Sequence, residues 1–363
     1  MRGWSVGTAR LFGTVGARWP AILVMAWAVV SACRPAAAPP PASPPAPPPT
    51  VAASPAALAR TTVRWAAISA NPNNWPVYAA QAQGFFAEMG IDLDLAYTDA
   101  STRAVQVLAS RDADITSVAA DTAIEAIERG APFVMVGGST RVPVYTLIAR
   151  PEIRSYSDLR GKLVGVTGAN VAEGPMLRKL LAKYGLHDED YETIAVGGPV
   201  QRYAAVQSGA VAASMVPQPF DFRGTDEGLV VLGYSTEVLA DYQFLAYTAR
   251  QDWTRESPEV VVRLLRALRK ADRWLYDPAN AQAAARLYAE ASRENEDYAR
   301  RTYDLIYQQL KVMAPDASIS LSGLQAVIDL MAEQGRLAPP LPSPSKYVDT
   351  RFIEAAARAE AGS

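Results

Sequence analysis

The chain has 363 residues, with 35 Lys and Arg against 37 Asp and Glu for a formal net charge of −2, and it carries one Cys and one His. Nearly balanced charge without a basic stripe argues against a nucleic-acid partner, and a single thiol excludes an internal disulfide or a cysteine-rich metal site. The single histidine, His187, lies in the polar segment YGLHDEDYE, which reads as a helix end and a loop, so histidine-based zinc sites and Ser-His-Asp triads have little to stand on.

Residues 1–33 contain Arg2, Arg10 and Arg18, no acid, and the uncharged run PAILVMAWAVVSAC. This is the layout of a secretory signal, its apolar core shorter than the ~20 residues of a spanning helix. The ending VSAC, directly before Cys33, resembles the lipobox of bacterial lipoproteins, which implies that Cys33 becomes the lipid-modified first residue of the mature chain. A plain cleaved signal and an uncleaved anchor are the alternatives. Residues 34–60 are almost only Pro, Ala and Ser, too poor in large apolar groups to build a core. They read as a tether that, at about 3.1 Å per residue, reaches on the order of 80 Å. The remaining body exceeds the size at which one core keeps growing, so two lobes are expected.

In the body, short apolar strands alternate with amphipathic helices, the pattern of an α/β fold with mainly parallel sheets. VRWAAIS leads through NPNNWP to a helix around VYAAQAQGFFAEMG; IDLDLAYT, ADITSVA and FVMVGGS follow as strands. Asp121 is placed to cap TAIEAIERG, which Gly130 ends. YTLIARP carries the chain into a second series, with strands KLVGVTG, YETIAVGG, VAASMVP and LVVLGYS, and QFLAYTAR returns as the next long strand. From Ser257 onward the pattern is helical.

One internal comparison stands out. VQVLASRDADITSV (105–118) aligns without gaps on YAAVQSGAVAASMV (203–216), which makes Ala119-Ala120-Asp121 the counterpart of Pro217-Gln218-Pro219. Ligands of open parallel sheets bind at such strand ends, so one strand end per lobe suggests a cleft between lobes.

The segments YAAQAQGFFAEMGIDLDL, VQVLASRDADITSVAADTAIEAIERG, YTLIARPEIRSYSDLRGKLVGVTGAN and AAVQSGAVAASMVPQPF resemble, in this order, the solute-binding proteins of bacterial ABC importers, in the class of nitrate, sulfonate, taurine and thiamine-precursor pyrimidine receptors. The resemblance spans residues 62–340. It implies a periplasmic-binding-protein type II fold: lobe 1 from 61–149 and 247–363, lobe 2 inserted as 150–246, crossovers near Ala149 and Tyr247, and a ligand cleft between lobes. It also implies that the loop after the first strand faces the cleft. Asn71, Asn73 and Asn74 would then offer amide groups and Trp75 a stacking wall; the competing reading is that the asparagines make turns and cap the next helix.

Other expected contacts are Thr167, Gly168, Ala169 and Asn170 in the second-lobe loop at a helix start, Gln218 held extended between two prolines, Ala120 and Asp121 opposite it, Tyr145, and Gly198 with Gly197 at another strand end. Arg141, Arg202 and Arg223 lie near these loops, but none falls squarely in them, and a strongly acidic solute would want a bidentate arginine. The expected function is a lipid-anchored, monomeric receptor outside the cytoplasmic membrane that closes on a small polar or aromatic organic solute, sulfonate- or pyrimidine-like, and delivers it to a permease and its ATPase, without cofactor or metal. The alternatives are a sensor lipoprotein, or a carboxylate-based enzyme using Asp121, Glu173 or Asp221. The related pyrimidine synthase, by resemblance, depends on histidine, cysteine and iron, and this chain, with one His and one Cys, lacks the histidines and the cysteine cluster such chemistry needs.

Overall fold

The computed structural model describes residues 59–167, 173–239 and 241–361. The segment TTVRWAA forms strand β1 (Thr61–Ala67), whose pattern turns from alternating to wholly buried towards its C-terminal end, as expected for a strand covered on both faces. It pairs in parallel with β2 (Ile91–Tyr97) and β3 (Ile115–Ala119), and β4 (Phe133–Gly138) forms the far edge. The chain then leaves this sheet. β5 (Tyr145–Ala149) lies in a second sheet with β6 (Leu163–Val166), β7 (Glu192–Ala195), β8 (Ala213–Pro217) and β9 (Val230–Tyr234), and the chain returns as β10 (Leu245–Arg250).

The two sheets share one plan. Their strand orders are β2-β1-β3-β10-β4 and β7-β6-β8-β5-β9. In each, the strand that arrives from the other sheet runs antiparallel to its two neighbours: β10 between β3 and β4, β5 between β8 and β9. Both sheets are therefore mixed rather than parallel throughout. The boundaries expected from sequence also shift. β5 belongs wholly to the second sheet and β10 wholly to the first, so the crossovers fall between Gly138 and Tyr145 and between Tyr234 and Leu245. A continuous apolar strand such as YTLIA reads the same in either sheet; only its hydrogen-bonding partners decide.

The first sheet is backed by the C-terminal helices. Helix Pro258–Tyr276 buries Val260, Val261, Leu264, Leu265, Leu268 and Leu275 on one face and packs against helices Trp75–Ala82 and Arg351–Ala361. Among the described residues no helix is long and apolar enough to cross a membrane. The edge strand β4 is anchored at its end by close backbone approach: a Cβ on Gly137 would lie 2.8 Å from the carbonyl oxygen of Ala317, and that oxygen accepts from the N–H of Gly138 at 2.9 Å.

Asp272, on the same long helix, is 1% exposed and accepts from the N–H of Ala317 at 2.8 Å. Ala317 has φ of 55°, a left-handed conformation uncommon for a residue with a side chain, so this bond holds a strained turn against β4. Burial pushes the Asp272 carboxyl well above the usual carboxylate range. A folded-state pKa above the unfolded one stabilises the fold fully below the unfolded value, and that contribution disappears as pH rises through the folded value. Asp272→Asn keeps an acceptor for Ala317 and removes the ionisation. Its urea midpoint is expected to gain on the parent between pH 5 and pH 8; parallel pH profiles for the two proteins would refute the assignment.

Candidate functional site

A cavity of about 1240 Å³ opens between the C-terminal ends of the parallel strands of the two sheets. Its walls follow the internal repeat. Strand β3 falls on β8 in the gap-free alignment, Ala119 pairs with Leu245, and Pro217 pairs with Tyr145. All four of these residues line the cavity, as do Asp121 and its counterpart Pro219. The two lobes thus meet the cavity through equivalent strand ends, the arrangement in which open α/β sheets place ligands.

The asparagine loop divides in two. Asn71 and Asn73 line the cavity. The Asn71 carbonyl accepts from the N–H of Asn73 at 2.9 Å and its amide donates to Ser69 Oγ at 3.0 Å, so this side chain also forms the turn. The Asn73 carbonyl accepts from the Thr140 hydroxyl at 2.9 Å, which ties the loop to the first crossover. Asn74 points away, 4% exposed, and donates to the Ser69 carbonyl at 2.6 Å.

Trp75 is a correction to the expected aromatic wall. Its side chain is fully buried, its indole N–H donates to the carbonyl of Ala284 at 2.7 Å, and its rings pack on Tyr288 (4.8 Å between centroids), Tyr307 (5.7 Å) and Tyr303 (5.9 Å). The first turn of helix Trp75–Ala82 is wedged between helices, so the indole fills the core and its one polar atom is satisfied there.

Ala120 is also behind the wall, 1% exposed, its N–H donating to the Phe244 carbonyl at 2.8 Å. Asp121 lines the cavity from the first turn of helix Ala120–Glu128, accepting from the N–H of Thr122 at 2.7 Å and pairing with Arg336 at 2.7 Å. Tyr145 lines the cavity half-buried, and burial, reinforced by Glu173, pushes its hydroxyl up to about 12. Gln218 lines it too. Gly198 caps helix Pro199–Ser208 without reaching the cavity, where Pro199 stands instead. Gly168, Ala169, Asn170 and Cys33 lie outside the described residues.

Thr167 belongs to a buried cluster under the second wall rather than to the wall itself. Its N–H donates to Glu173 at 2.6 Å and its hydroxyl accepts from Arg202. Arg202, 1% exposed, further donates to the carbonyls of Met215 at 2.9 Å and Gly197 at 3.0 Å and pairs with Glu173 at 3.1 Å. Burial pulls its pKa down from the ordinary arginine value, and Glu173 opposes this. One guanidinium therefore staples the ends of β6, β7 and β8 through its Nε and Nη1 groups. Arg223 is likewise engaged, with Glu294 at 3.3 Å, and Arg141 donates to Ser318 at 3.2 Å.

Among the wall residues that the sequence did not single out are Phe220, Phe244 and Arg336. Phe220 follows the Gln218 loop and Phe244 precedes β10, both aromatic and half-buried. Arg336 arrives from the helical C-terminal part and is held between Asp121 and Glu125, at 2.7 and 3.1 Å. Phe220 was within reach of the repeat argument, since it directly follows the matched strand end; Arg336 had no local signal.

Two mixed α/β sheets joined by two crossovers, with a cavity at their facing strand ends, define the periplasmic-binding-protein type II fold. A family model described as NMT1/THI5 like matches residues 71–281, and the chain belongs to that family. Among relatives, the protein YtlA of Bacillus subtilis, assigned as a binding protein by similarity alone, is 21% identical over 277 residues, covering 74% of this chain and 81% of that protein. The nitrate/nitrite binding protein NrtA of Synechococcus elongatus is 28% identical over 152 residues, 39% of this chain and 34% of that protein. A 4-amino-5-hydroxymethyl-2-methylpyrimidine phosphate synthase of Saccharomyces cerevisiae is 24% identical, over 58% of this chain and 66% of the enzyme.

The fold is shared with the nitrate-binding protein NrtA from Synechocystis PCC 6803 (TM-score 0.68, 19% identity, 83% of this chain and 89% of that one). It is shared equally with the alkanesulfonate-binding protein SsuA from Xanthomonas axonopodis (TM-score 0.63, 19% identity, 80% and 99%) and with the desulfurization enzyme DSZB in complex with biphenyl-2-sulfinic acid (TM-score 0.66, 17% identity, 82% and 99%).

Proposed function

We propose that this protein is an extracytoplasmic solute-binding receptor of an ABC importer, held to the membrane through Cys33 and its Pro/Ala-rich tether. It captures a small polar or aromatic organic solute by closing its two lobes and delivers it, unchanged, to a permease. The observation that carries this reading is the cavity itself: equivalent strand ends from two lobes surround it, joined by two crossovers that can act as a hinge. The cavity's size suits a small organic molecule held by a few placed polar groups and aromatic surface. Arg336, a cation of the wall, is paired with Asp121 and Glu125.

A library of sulfonates, nitrate, pyrimidines, aromatic carboxylates and amino acids, screened by thermal shift at 100 times the dissociation constant, should give a hit worth about 2.7 kcal/mol. For a body of this size that is roughly 5 °C in melting temperature. The same hit should shrink the radius of gyration in solution scattering; stabilisation without compaction would count against lobe closure.

Enzymes among both the sequence relatives and the structural neighbours favour a second reading, catalysis in the same cavity. Mass spectrometry of the hit after prolonged incubation separates the two. Recovery of an altered molecule would replace the receptor with an enzyme.

A further inference from the structure

Among the described residues three ion pairs run from one lobe to the other. Two of them join helix Phe220–Asp226, which follows β8 in the second lobe, to the start and body of helix Glu296–Tyr303 in the first. Arg223 reaches Glu294, its Nη2 lying 3.3 and 3.4 Å from the two carboxylate oxygens. Arg301 answers in the opposite sense, its Nη1 2.7 Å from Asp226 Oδ2 and its Nη2 3.4 Å from the Thr225 hydroxyl. The third pair, Lys179 with Glu333 at 3.4 Å, joins helix Glu173–Lys183 to the end of helix Leu321–Glu333. Glu294 and Glu333 both line the cavity, so these contacts shut its flanks.

The contact between the first two helices is more than charges meeting. Arg301 lies 4.7 Å over the ring of Phe222, and Arg223 lies 5.7 Å over the ring of Tyr298, so each lobe lays a cation on an aromatic ring of the other. Each arginine is also held by a ring of its own lobe: Arg223 sits 5.6 Å over Phe220, and Arg301 5.7 Å over Tyr298. Arg301 has a second acid within its own helix, Asp297 at 3.7 Å. Both side chains are thus placed before the lobes meet, which lowers the entropy lost when the contact forms. The Arg301 guanidinium holds the Asp226 carboxyl below the usual carboxylate range.

The lobes are joined covalently elsewhere, by two crossovers that permit rigid-body closure. Arg223 and Arg301 are half-buried and Asp226 is exposed, so each pair contributes modestly and salt screens it.

We propose that Arg223 and Arg301 are positioning residues that form a latch between the lobes, supplying a part of the closing free energy that does not depend on the solute. A fraction of the molecules is then closed before any solute arrives, and the latch sets that fraction. The apparent affinity for every solute scales with it, whatever the solute's own charge. This deepens the receptor reading and rests on it, while the latch itself is measurable with nothing bound.

The third interlobe pair supplies the readout. A zero-length carbodiimide joins an amine to a carboxylate in contact with it, so an amide between Lys179 and Glu333, found by peptide mass spectrometry of the intact, solute-free protein, records closed molecules. Lys183 and Glu237, 3.3 Å apart within the second lobe, give the internal reference. The interlobe link should form in the parent, and raising NaCl from about 20 mM to about 500 mM should lower its yield beyond what the reference loses. Arg223→Gln with Arg301→Gln, which keeps most of each stem, should lower the ratio of the two links about fivefold. Arg223→Lys with Arg301→Lys, which keeps the charges, should recover most of it. A merely packing role would spare the glutamine variant and show no salt dependence. An unchanged ratio in that variant, or no interlobe link in the parent, overturns the latch and leaves the receptor reading to its own screen. The expected ratios in a protein that binds none of the screened solutes support the latch and count against the receptor reading.

Discussion

Replacing Trp75 with alanine is expected to cost about 3–5 kcal/mol of folding stability, the range for removing a large aromatic from a packed core. Three tyrosine rings lie within 6 Å of the indole, and the carbonyl of Ala284 loses its indole donor. That carbonyl belongs to helix Ala281–Ser292, so the tryptophan links the asparagine loop's helix to the C-terminal helices. Urea denaturation measures the loss. The indole has no face on the cavity, so the molecules that remain folded should bind a solute as the parent does. Loss of affinity with less than about 1 kcal/mol of destabilisation would return Trp75 to the cleft wall.

The asparagine loop shows where sequence reading succeeds and where it stops. Clustered side-chain amides after a strand, in a chain with a two-lobe pattern, mark a strand-end loop, and two of the three asparagines do reach the cavity. The fate of Trp75 was not legible from its neighbours. Residues 75 to 80 are all buried, so no polar face exists to set the helix orientation, and periodicity carries no information there. The repeat was legible because strand β3 and strand β8 occupy the same place in their sheets, and a shared place imposes the same alternation of helix end, turn and apolar strand. The crossovers were misplaced because β5 and β10 are buried on all sides and differ from their neighbours only in direction. Arg336 reaches Asp121 across 215 positions of sequence, and such pairs leave no local trace. Arg202 lay near enough to be noticed, but its burial against Glu173 depends on two helix starts being folded onto adjacent strand ends.

That buried pair carries the other large effect. Arg202→Met should cost about 3–5 kcal/mol, because it leaves the Glu173 carboxylate inside the second lobe without its cation. The guanidinium's geometric role goes with it: β6 loses its bond at Thr167, the turn after β7 its bond at Gly197, and β8 its bond at Met215. The two contributions separate in a double-mutant cycle. Glu173→Gln retains an acceptor for the Thr167 N–H and removes the charge, so the double variant Arg202→Met, Glu173→Gln should recover the electrostatic share, with a coupling of about 1–3 kcal/mol. What it does not recover measures the staple. Because the strand ends it holds form the second wall of the cavity, the double variant should remain folded at neutral pH and yet bind any solute more weakly than the parent. Urea unfolding of the four proteins in the cycle provides the check. Additive losses, with no recovery in the double variant, would mean that Glu173 is satisfied without Arg202 and that the second wall is held by packing alone.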